Sequence, residues 1–199
     1  MLRLVTAASG RPVSLDDLKM IVEAADFDDD DEKLALFLDG AIAYVAQQTS
    51  LVLSPTEYRV ERSCWWTDKL EILLTPVRDI TAVGYLNVAG SLQTLDAEKY
   101  RWARTASGAT ITLLDTSGLP SIAQNRDDAV QISVEGGFDI DGATGSGDDP
   151  ELVLPRQARN AIIMLAAHWY ANREAALASE LKEIPFGVEA LIRQIMVYR

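Results

Sequence analysis

Residues 154–174 read LPRQARNAIIMLAAHWYANRE, and this stretch decides what kind of fold the chain can form. Pro155 suits the first turn of a helix, because the N–H that proline lacks has no intrahelical partner there. A set of apolar residues then recurs every three or four positions, the spacing of one helix face: Ala158, Ile162, Leu165 and Trp169. Small residues beside them allow a second helix to approach closely: Ala161, Ala166, Ala167 and Ala171. The stretch predicts a long helix packed against other helices.

Three further helices are predicted outside this stretch. Ser14 can cap the first helix, whose buried face is Leu15, Leu18, Val22 and Ala25. The second helix is predicted from Asp30 or Asp31 to about Gln48, and it has this apolar stripe: Leu34, Leu38, Ala41, Ile42 and Val45. A short final helix follows Pro185 and carries Val188, Leu191, Ile192 and Ile195 on one side.

The middle of the chain, about residues 54–136, changes to alternation with period two, which predicts strands. The alternating apolar residues fall in runs at 58–64, 70–74, 81–85, 111–113 and 130–134. Turn signals separate these runs, as at 89–91, 107–108 and 117–120. Several short antiparallel strands are therefore expected.

These patterns predict an α+β fold in which N- and C-terminal helices form a core and a central antiparallel β-rich segment is inserted. We expect residues 1–52 and 151–199 to form the helical core and residues 53–137 the insertion. The Gly-, Ser- and Asp-rich residues 138–150 are predicted to be a flexible loop.

Catalytic chemistry has few candidates in this sequence. His168 is the only histidine and lies in an apolar helical stretch, which favours a core or interface residue over a general base. Cys64 is the only cysteine, so an intrachain disulfide is excluded, and its place beside Trp65 and Trp66 predicts a packed thiol. We therefore expect no catalytic residues, no cofactor and no enzyme activity.

Metal binding is not expected either. The acidic run 28–32 precedes a predicted helix, where carboxylates favour the positive end of the helix dipole, so it is interpreted as a solvated helix start. Asp139, Asp141 and Gly142 suggest a calcium loop, but a third acidic position and the closing glutamate are missing at the required spacing.

The net charge of −12 and the absence of a Lys/Arg run argue against a surface that grips DNA. The N-terminus lacks the pattern of a signal peptide and no apolar stretch approaches the roughly 20 residues of a membrane span, so we expect a soluble protein made in the bacterial cytoplasm.

One alternative function is that of a β-rich binding module that recognises glycan or nucleic acid through stacked side chains: Trp65, Trp66 and Trp102 with Arg62, Arg101 and Arg104. The competing interpretation, that these aromatics fill the core or rim of a small sheet, is favoured.

Four motifs in a fixed order carry a family resemblance. The first is VSLDDLK at 13–19 with AIAYVAQQT at 41–49, and the second is LTPVRDITAVGY at 74–85, followed by Gly90, Leu95 and Tyr100. The third is LPRQA at 154–158 leading into AAHWYANRE at 166–174, and the fourth is IPFGVEALI at 184–192. Together they resemble the head–tail connector, or adaptor, proteins of long-tailed phages, prophages and gene transfer agents.

This resemblance implies a structural subunit without catalysis, metal or cofactor. It implies a homo-oligomeric ring, expected to be a dodecamer, that docks under the portal protein and offers a platform for a stopper or tail-terminator protein. DNA would pass through the ring without specific binding, and no membrane would be involved. The segment 184–199 would reach the portal, and the expected portal or subunit contacts are Trp169, Tyr170, Arg173, Pro185, Phe186, Val188, Leu191, Ile192, Ile195 and Tyr198.

Overall fold

The computed structural model describes residues 1–6, 10–23, 28–140, 149–172 and 184–197. Its helices are α1 (Leu15–Ile21), α2 (Asp31–Thr49), α3 (Arg156–Ala171) and α4 (Phe186–Ile195). Its strands are β1 (Leu2–Thr6), β2 (Thr56–Arg62), β3 (Lys69–Ile72), β4 (Val77–Leu86), β5 (Leu92–Thr94), β6 (Tyr100–Thr105), β7 (Gly108–Leu113) and β8 (Val130–Gly136). Four helices and eight strands in antiparallel sheets within the described residues confirm the predicted α+β class.

The described residues form two compact units. Residues 1–6 and 55–137 form the sheet unit, and the remaining described residues, 10–23, 28–54, 138–140, 149–172 and 184–197, form the helical unit. The sheet unit holds a five-stranded antiparallel sheet in the order β1-β2-β8-β4-β5 and a three-stranded one in the order β3-β7-β6. Alternation along β8 buries Val130, Ile132 and Val134 and leaves the residues between them half-exposed, as period two requires.

The first residues of the chain are not part of the helical unit, which corrects the predicted boundary at residue 1. Leu2–Thr6 forms β1, which pairs antiparallel with β2 so that Leu2 lies opposite Val60 and Leu4 opposite Tyr58. The five residues LRLVT are enough for an edge strand once a partner strand is present. The pairing partner lies more than 50 residues away, so no local pattern reveals it.

The helical unit is built around the predicted stripes. Ser14 caps α1 by accepting a hydrogen bond from the amide of Asp17 at 3.1 Å, as its position indicates. Fully or almost fully buried side chains of α2 and α3 form its core: Leu34, Leu38, Ala41, Val45, Ala158, Ala161, Ile162, Leu165 and Ala166. Burying each Leu or Ile side chain contributes about 1.5–3 kcal/mol, so these stripes account for the pairing of the helices.

The predicted flexible loop 138–150 is only partly within the described residues, since 141–148 lie outside them. At its start, Phe138 is buried in the helical unit's core, and the amide of Asp139 donates to the carbonyl of Leu152 at 2.8 Å. Phe138 therefore belongs to the core rather than to a loop. Asp141 and Gly142, two of the three residues that suggested calcium, lie outside the described ranges.

Candidate functional site

The C-terminal helix α4 divides its apolar residues between the core and the surface. Val188 is fully buried and Ile192 is 4% exposed, and both pack in the core of the helical unit. Leu191 and Ile195 are half-buried against the same core. Beyond the helix, the amide of Val197 donates to the carbonyl of Thr49 at 3.0 Å. Val188 and Ile192, both expected as partner contacts, therefore hold α4 to its own chain in this structure.

Phe186, the first residue of α4, is exposed rather than buried. Its side chain is 80% exposed, although burying a phenylalanine side chain away from water lowers the free energy of the protein. Pro185, which precedes it, is half-buried and takes the N-cap position of the helix. Met164 of α3 is 44% exposed, and a Cβ built on Gly187 would lie 3.4 Å from its terminal methyl group. Phe186 and Met164 thus expose apolar surface near the start of α4, here named the Phe186 patch.

Met164 was missed by the sequence interpretation. The signal was present, because Met164 is a large apolar residue two positions after Ile162 and so lies far from the buried stripe of α3. An apolar residue on the polar side of an amphipathic helix indicates either a contact or a chance exposure. Its proximity to Gly187 favours a shared surface with α4.

Trp169 and Tyr170 have partners within the chain. The Trp169 ring covers Gly40, where an added Cβ would lie 3.2 Å from Cζ3, and it meets Tyr44 edge-on with ring centroids 6.4 Å apart. The Tyr170 hydroxyl donates to Asp30 Oδ2 at 2.8 Å. Both residues are half-buried and stabilise the pairing of α2 with α3, so at most their outer edges face a partner. Arg173 and Tyr198, also expected at the interface, lie outside the described residues.

The acidic run before α2 contacts a buried lysine. Lys19 is 5% exposed, and its ammonium group lies 2.7 Å from Asp28 Oδ1 and 2.9 Å from Asp31 Oδ1. The hydrogen bond from Lys19 and its positive charge lower the pKa of Asp28. The acidic run thus links α1 to the start of α2 through ion pairs. The sequence interpretation of this run as a solvated helix start did not include these ion pairs. Among the described residues, no three His, Cys, Asp or Glu side chains converge as a metal site would require.

His168 and Cys64 belong to different units. His168 is half-buried near the end of α3, and its Nδ1 lies 3.3 Å from Asn172 Nδ2. Cys64 is exposed, so the prediction of a packed thiol is wrong. The physical reason is that β2 ends at Arg62, and the alternation that would have turned Cys64 inward ends with it.

Trp65 and Trp66 of the sheet unit use their indole N–H groups within the chain. The indole N–H of Trp66 donates to the carbonyl of Ile111 at 3.1 Å and that of Trp65 to Pro120 at 3.0 Å. Trp66 is 6% exposed, which fits the interpretation as core filling. Arg104 donates to the carbonyls of Val77 and Arg78, so its guanidinium is engaged by the backbone. A shallow groove beside Trp65 is lined by uncharged side chains, which disfavours it as a nucleic-acid site.

Helices in the described ranges are too short or too polar to cross a bilayer. No protein-family model and no curated protein sequence matches the chain.

Solved structures do match it, and the alignments cover 100% of this chain and 96% of each matching chain. One match is in the neck of an empty gene transfer agent particle computed with C6 symmetry, at 24% identity and a TM-score of 0.74. A second is in the virion of a native gene transfer agent particle, at 25% identity and a TM-score of 0.75. A third is in the neck of a native particle computed with C12 symmetry, at 25% identity and a TM-score of 0.70. The chain is therefore a full-length structural relative of the neck, or connector, proteins of gene transfer agent particles, which confirms the resemblance carried by its four motifs.

Proposed function

We propose that this chain is a structural, non-enzymatic adaptor in the neck of a phage or phage-like particle. Its copies form a ring that docks under the portal protein, extends the DNA channel and presents a platform to a stopper or tail-terminator protein. The chain is made in the bacterial cytoplasm and functions once it is assembled into the particle. The observation that carries this proposal is the match over 100% of this chain, at TM-scores of 0.74 and 0.70, to chains from neck structures.

The symmetry of the related particles supports a ring. Necks computed with C6 and C12 symmetry contain their subunits in rotational arrays, and twelve copies satisfy both symmetries. We propose a dodecamer for this chain on that basis. In this ring the helical unit serves as the adaptor core, and the β-rich segment 53–137 is inserted into it.

The charge of the chain fits a channel that DNA passes through. With 30 acidic and 18 basic residues, the chain repels phosphates on average rather than binding them. A bore lined with carboxylates would let DNA slide without sticking, whereas a bore lined with Lys and Arg would hold it. The residues that face the bore are therefore proposed to be mainly acidic.

The Phe186 patch is proposed as the portal contact of the helical unit. Phe186 is exposed while Val188 and Ile192 of the same helix are buried and hold α4 to the core, so docking can bury Phe186 without unfolding the helix. Aromatic side chains supply much of the binding energy of protein interfaces, because each buries a large apolar area. Removing α4 altogether is not a clean test, since Val188 and Ile192 would leave a hole in the core.

The proposal is tested by deleting the gene in a particle-producing host and complementing it with the wild-type chain or with Phe186→Asp. Deletion should give filled or empty heads without joined tails, and the wild-type chain should restore complete particles in electron micrographs. Phe186→Asp should remain folded but fail to restore them. Complete particles in the deletion strain would refute the role in the neck, and complete particles with Phe186→Asp would refute only the assignment of the contact.

The alternative, a binding module for glycan or nucleic acid, has less support. It requires exposed aromatic faces with free polar groups around them, whereas Trp66 is buried and both indole N–H groups already donate to carbonyl oxygens. A glycan array and a nucleic-acid shift assay with the wild-type chain would test it directly.

A further inference from the structure

Strand β1 leaves one edge of the five-stranded sheet open. It pairs only with β2, and among the described residues no strand lies on its other side. Met1 and Glu61 exchange two hydrogen bonds, from the Met1 ammonium to the Glu61 carbonyl at 2.6 Å and from the Glu61 amide to the Met1 carbonyl at 2.9 Å. In an antiparallel pair such bonded residues alternate with residues whose N–H and C=O point outwards. Leu2 and Leu4 therefore direct their backbone donors and acceptors to the open edge.

The side chains at this edge do not protect it. Leu2 is 40% exposed and Leu4 is 53% exposed. Their positions opposite Val60 and Tyr58 put them on the face that buries Ile132 one strand further in, so the apolar face continues to the edge without cover. Natural sheets usually block an open edge with charges, proline or a bulge, because it otherwise pairs with another chain. Here Arg3 is the charge within the strand, and it sits between the two leucines. The register irregularity of β1 falls between Leu4 and Thr6, at the end of the strand, so it leaves the regular stretch Leu2–Leu4 unprotected.

The opposite edge of the same sheet also has no further strand beside it within the part of the chain that the structure describes. It is formed by β5, whose three residues Leu92–Thr94 are all exposed. Four successive antiparallel pairings separate the two edge strands, so β1 and β5 run in the same direction. A ring generated by rotation needs contacts between two different patches of the same chain, since a self-complementary patch gives closed pairs instead. The two edges of this sheet are such a pair of patches.

We propose that β1 of one copy adds in parallel to β5 of the next copy, so that the five-stranded sheets join around the ring. This inference rests on the proposed function, because it identifies a contact within the ring. The short β5 limits the added ladder to about three residues per contact, and parallel ladders are slightly weaker than antiparallel ones. The contact therefore sets the register between copies and relies on other ring contacts for stability.

Cysteine crosslinking in assembled particles tests the proposal. Leu4→Cys and Gln93→Cys are introduced together in a Cys64→Ser chain, because Cys64 is exposed and would react. Particles carrying this chain are treated with a short bis-maleimide, which tolerates the unknown register, and then denatured. A ladder of multimers that requires both cysteines is the expected result.

Three other results would overturn the proposal in distinguishable ways. A dimer that forms with Leu4→Cys alone means that β1 pairs with β1 of another copy. Particles that contain the chain but yield only monomers reject the strand contact and leave the proposed function intact. If particles contain neither the variant nor the wild-type chain, both the strand contact and the proposed function are rejected.

A pair of charge substitutions gives an independent readout. Leu4→Lys places an ammonium group at the proposed contact, and Leu114→Lys places one at a position of nearly equal exposure, 50% against 53%, outside both edge strands. Leu4→Lys should be incorporated into particles less than Leu114→Lys, with both chains folded by circular dichroism. Equal incorporation of the two variants would show that the edge is not used.

Discussion

Lys19 Nζ lies 2.7 Å from Asp28 Oδ1 although Lys19 is almost completely buried. A buried ammonium group is tolerated only where carboxylates compensate the loss of its hydration, and Asp31 provides a second one at 2.9 Å. The Lys19 ammonium donates to the carboxylates of Asp28 and Asp31, which raises the pKa of Lys19, and the hydrogen bond that Asp28 accepts lowers the pKa of Asp28. The pair is therefore fully charged across the neutral range and links α1 to the start of α2.

Acid should weaken this link before base does. Because the pKa of Asp28 is lower in the fold than its ordinary value of 3.8, the carboxylate contributes its full stability above that value, and the contribution is lost as pH falls through the lowered pKa. The difference in unfolding free energy between wild type and Asp28→Asn should be largest near neutral pH and shrink in acid. Urea unfolding at a series of pH values measures it, with Asp29→Asn, an exposed neighbour, as the control. A difference that stays constant with pH would contradict this role for Asp28.

Substitutions in α4 should separate folding from assembly. Ile192→Ala removes buried methyl groups and should lower the free energy of unfolding by about 2–5 kcal/mol. Phe186→Ala changes an exposed side chain and should alter it by less than about 0.5 kcal/mol, yet it should reduce joining of the chain to portal-bearing heads. Chemical denaturation and particle counts in micrographs give the two readouts. Normal particle numbers with Phe186→Ala would remove the patch from the interface.

Gly40 should not accept a branched side chain. A single Cβ at this position already approaches Trp169 Cζ3 to 3.2 Å, so Gly40→Val must displace the indole or separate α2 from α3. We expect a loss of about 1–3 kcal/mol in the free energy of unfolding, measured by urea titration. Ala43→Val, an exposed position in the same helix, reports the cost of a β-branched residue alone. Equal losses of unfolding free energy for the two variants would show that the Trp169 ring moves aside without destabilising the chain.

Gly108 should be equally intolerant, for reasons of backbone geometry. Its φ of +152° disfavours other residues, and an added Cβ would lie 1.9 Å from the carbonyl oxygen of Ile72. Gly108→Ala should destabilise the chain by more than about 1 kcal/mol, because β3 must move away from β7. Gly118→Ala, where the nearest atom to an added Cβ is a side-chain oxygen at 3.5 Å, should be tolerated in the same thermal melt. A stable Gly108→Ala chain would mean that the β3–β7 pairing can shift.

Local patterns predicted the elements whose burial is periodic. The stripe of α2 is buried at Leu34, Leu38, Ala41 and Val45, as the spacing indicates, and the cap at Ser14 is present. The assignments that failed depend on long-range contacts. β1 forms because β2 is available beside it, and Cys64 is exposed because β2 ends two residues earlier. The expected partner contacts that follow from the family resemblance include Val188 and Ile192, whereas both side chains pack in the core of their own chain.

The path of the chain has a consequence for biosynthesis. β1 is synthesised before its partner β2, and α1 and α2 cannot pack against α3 and α4 until the β-rich segment between them has been synthesised. The strands between residues 55 and 137 pair among themselves and can close early, while the helical unit closes only after α4 has been synthesised. A nascent chain therefore lacks the completed helical surface until α4 has formed, which delays premature self-association on the polysome.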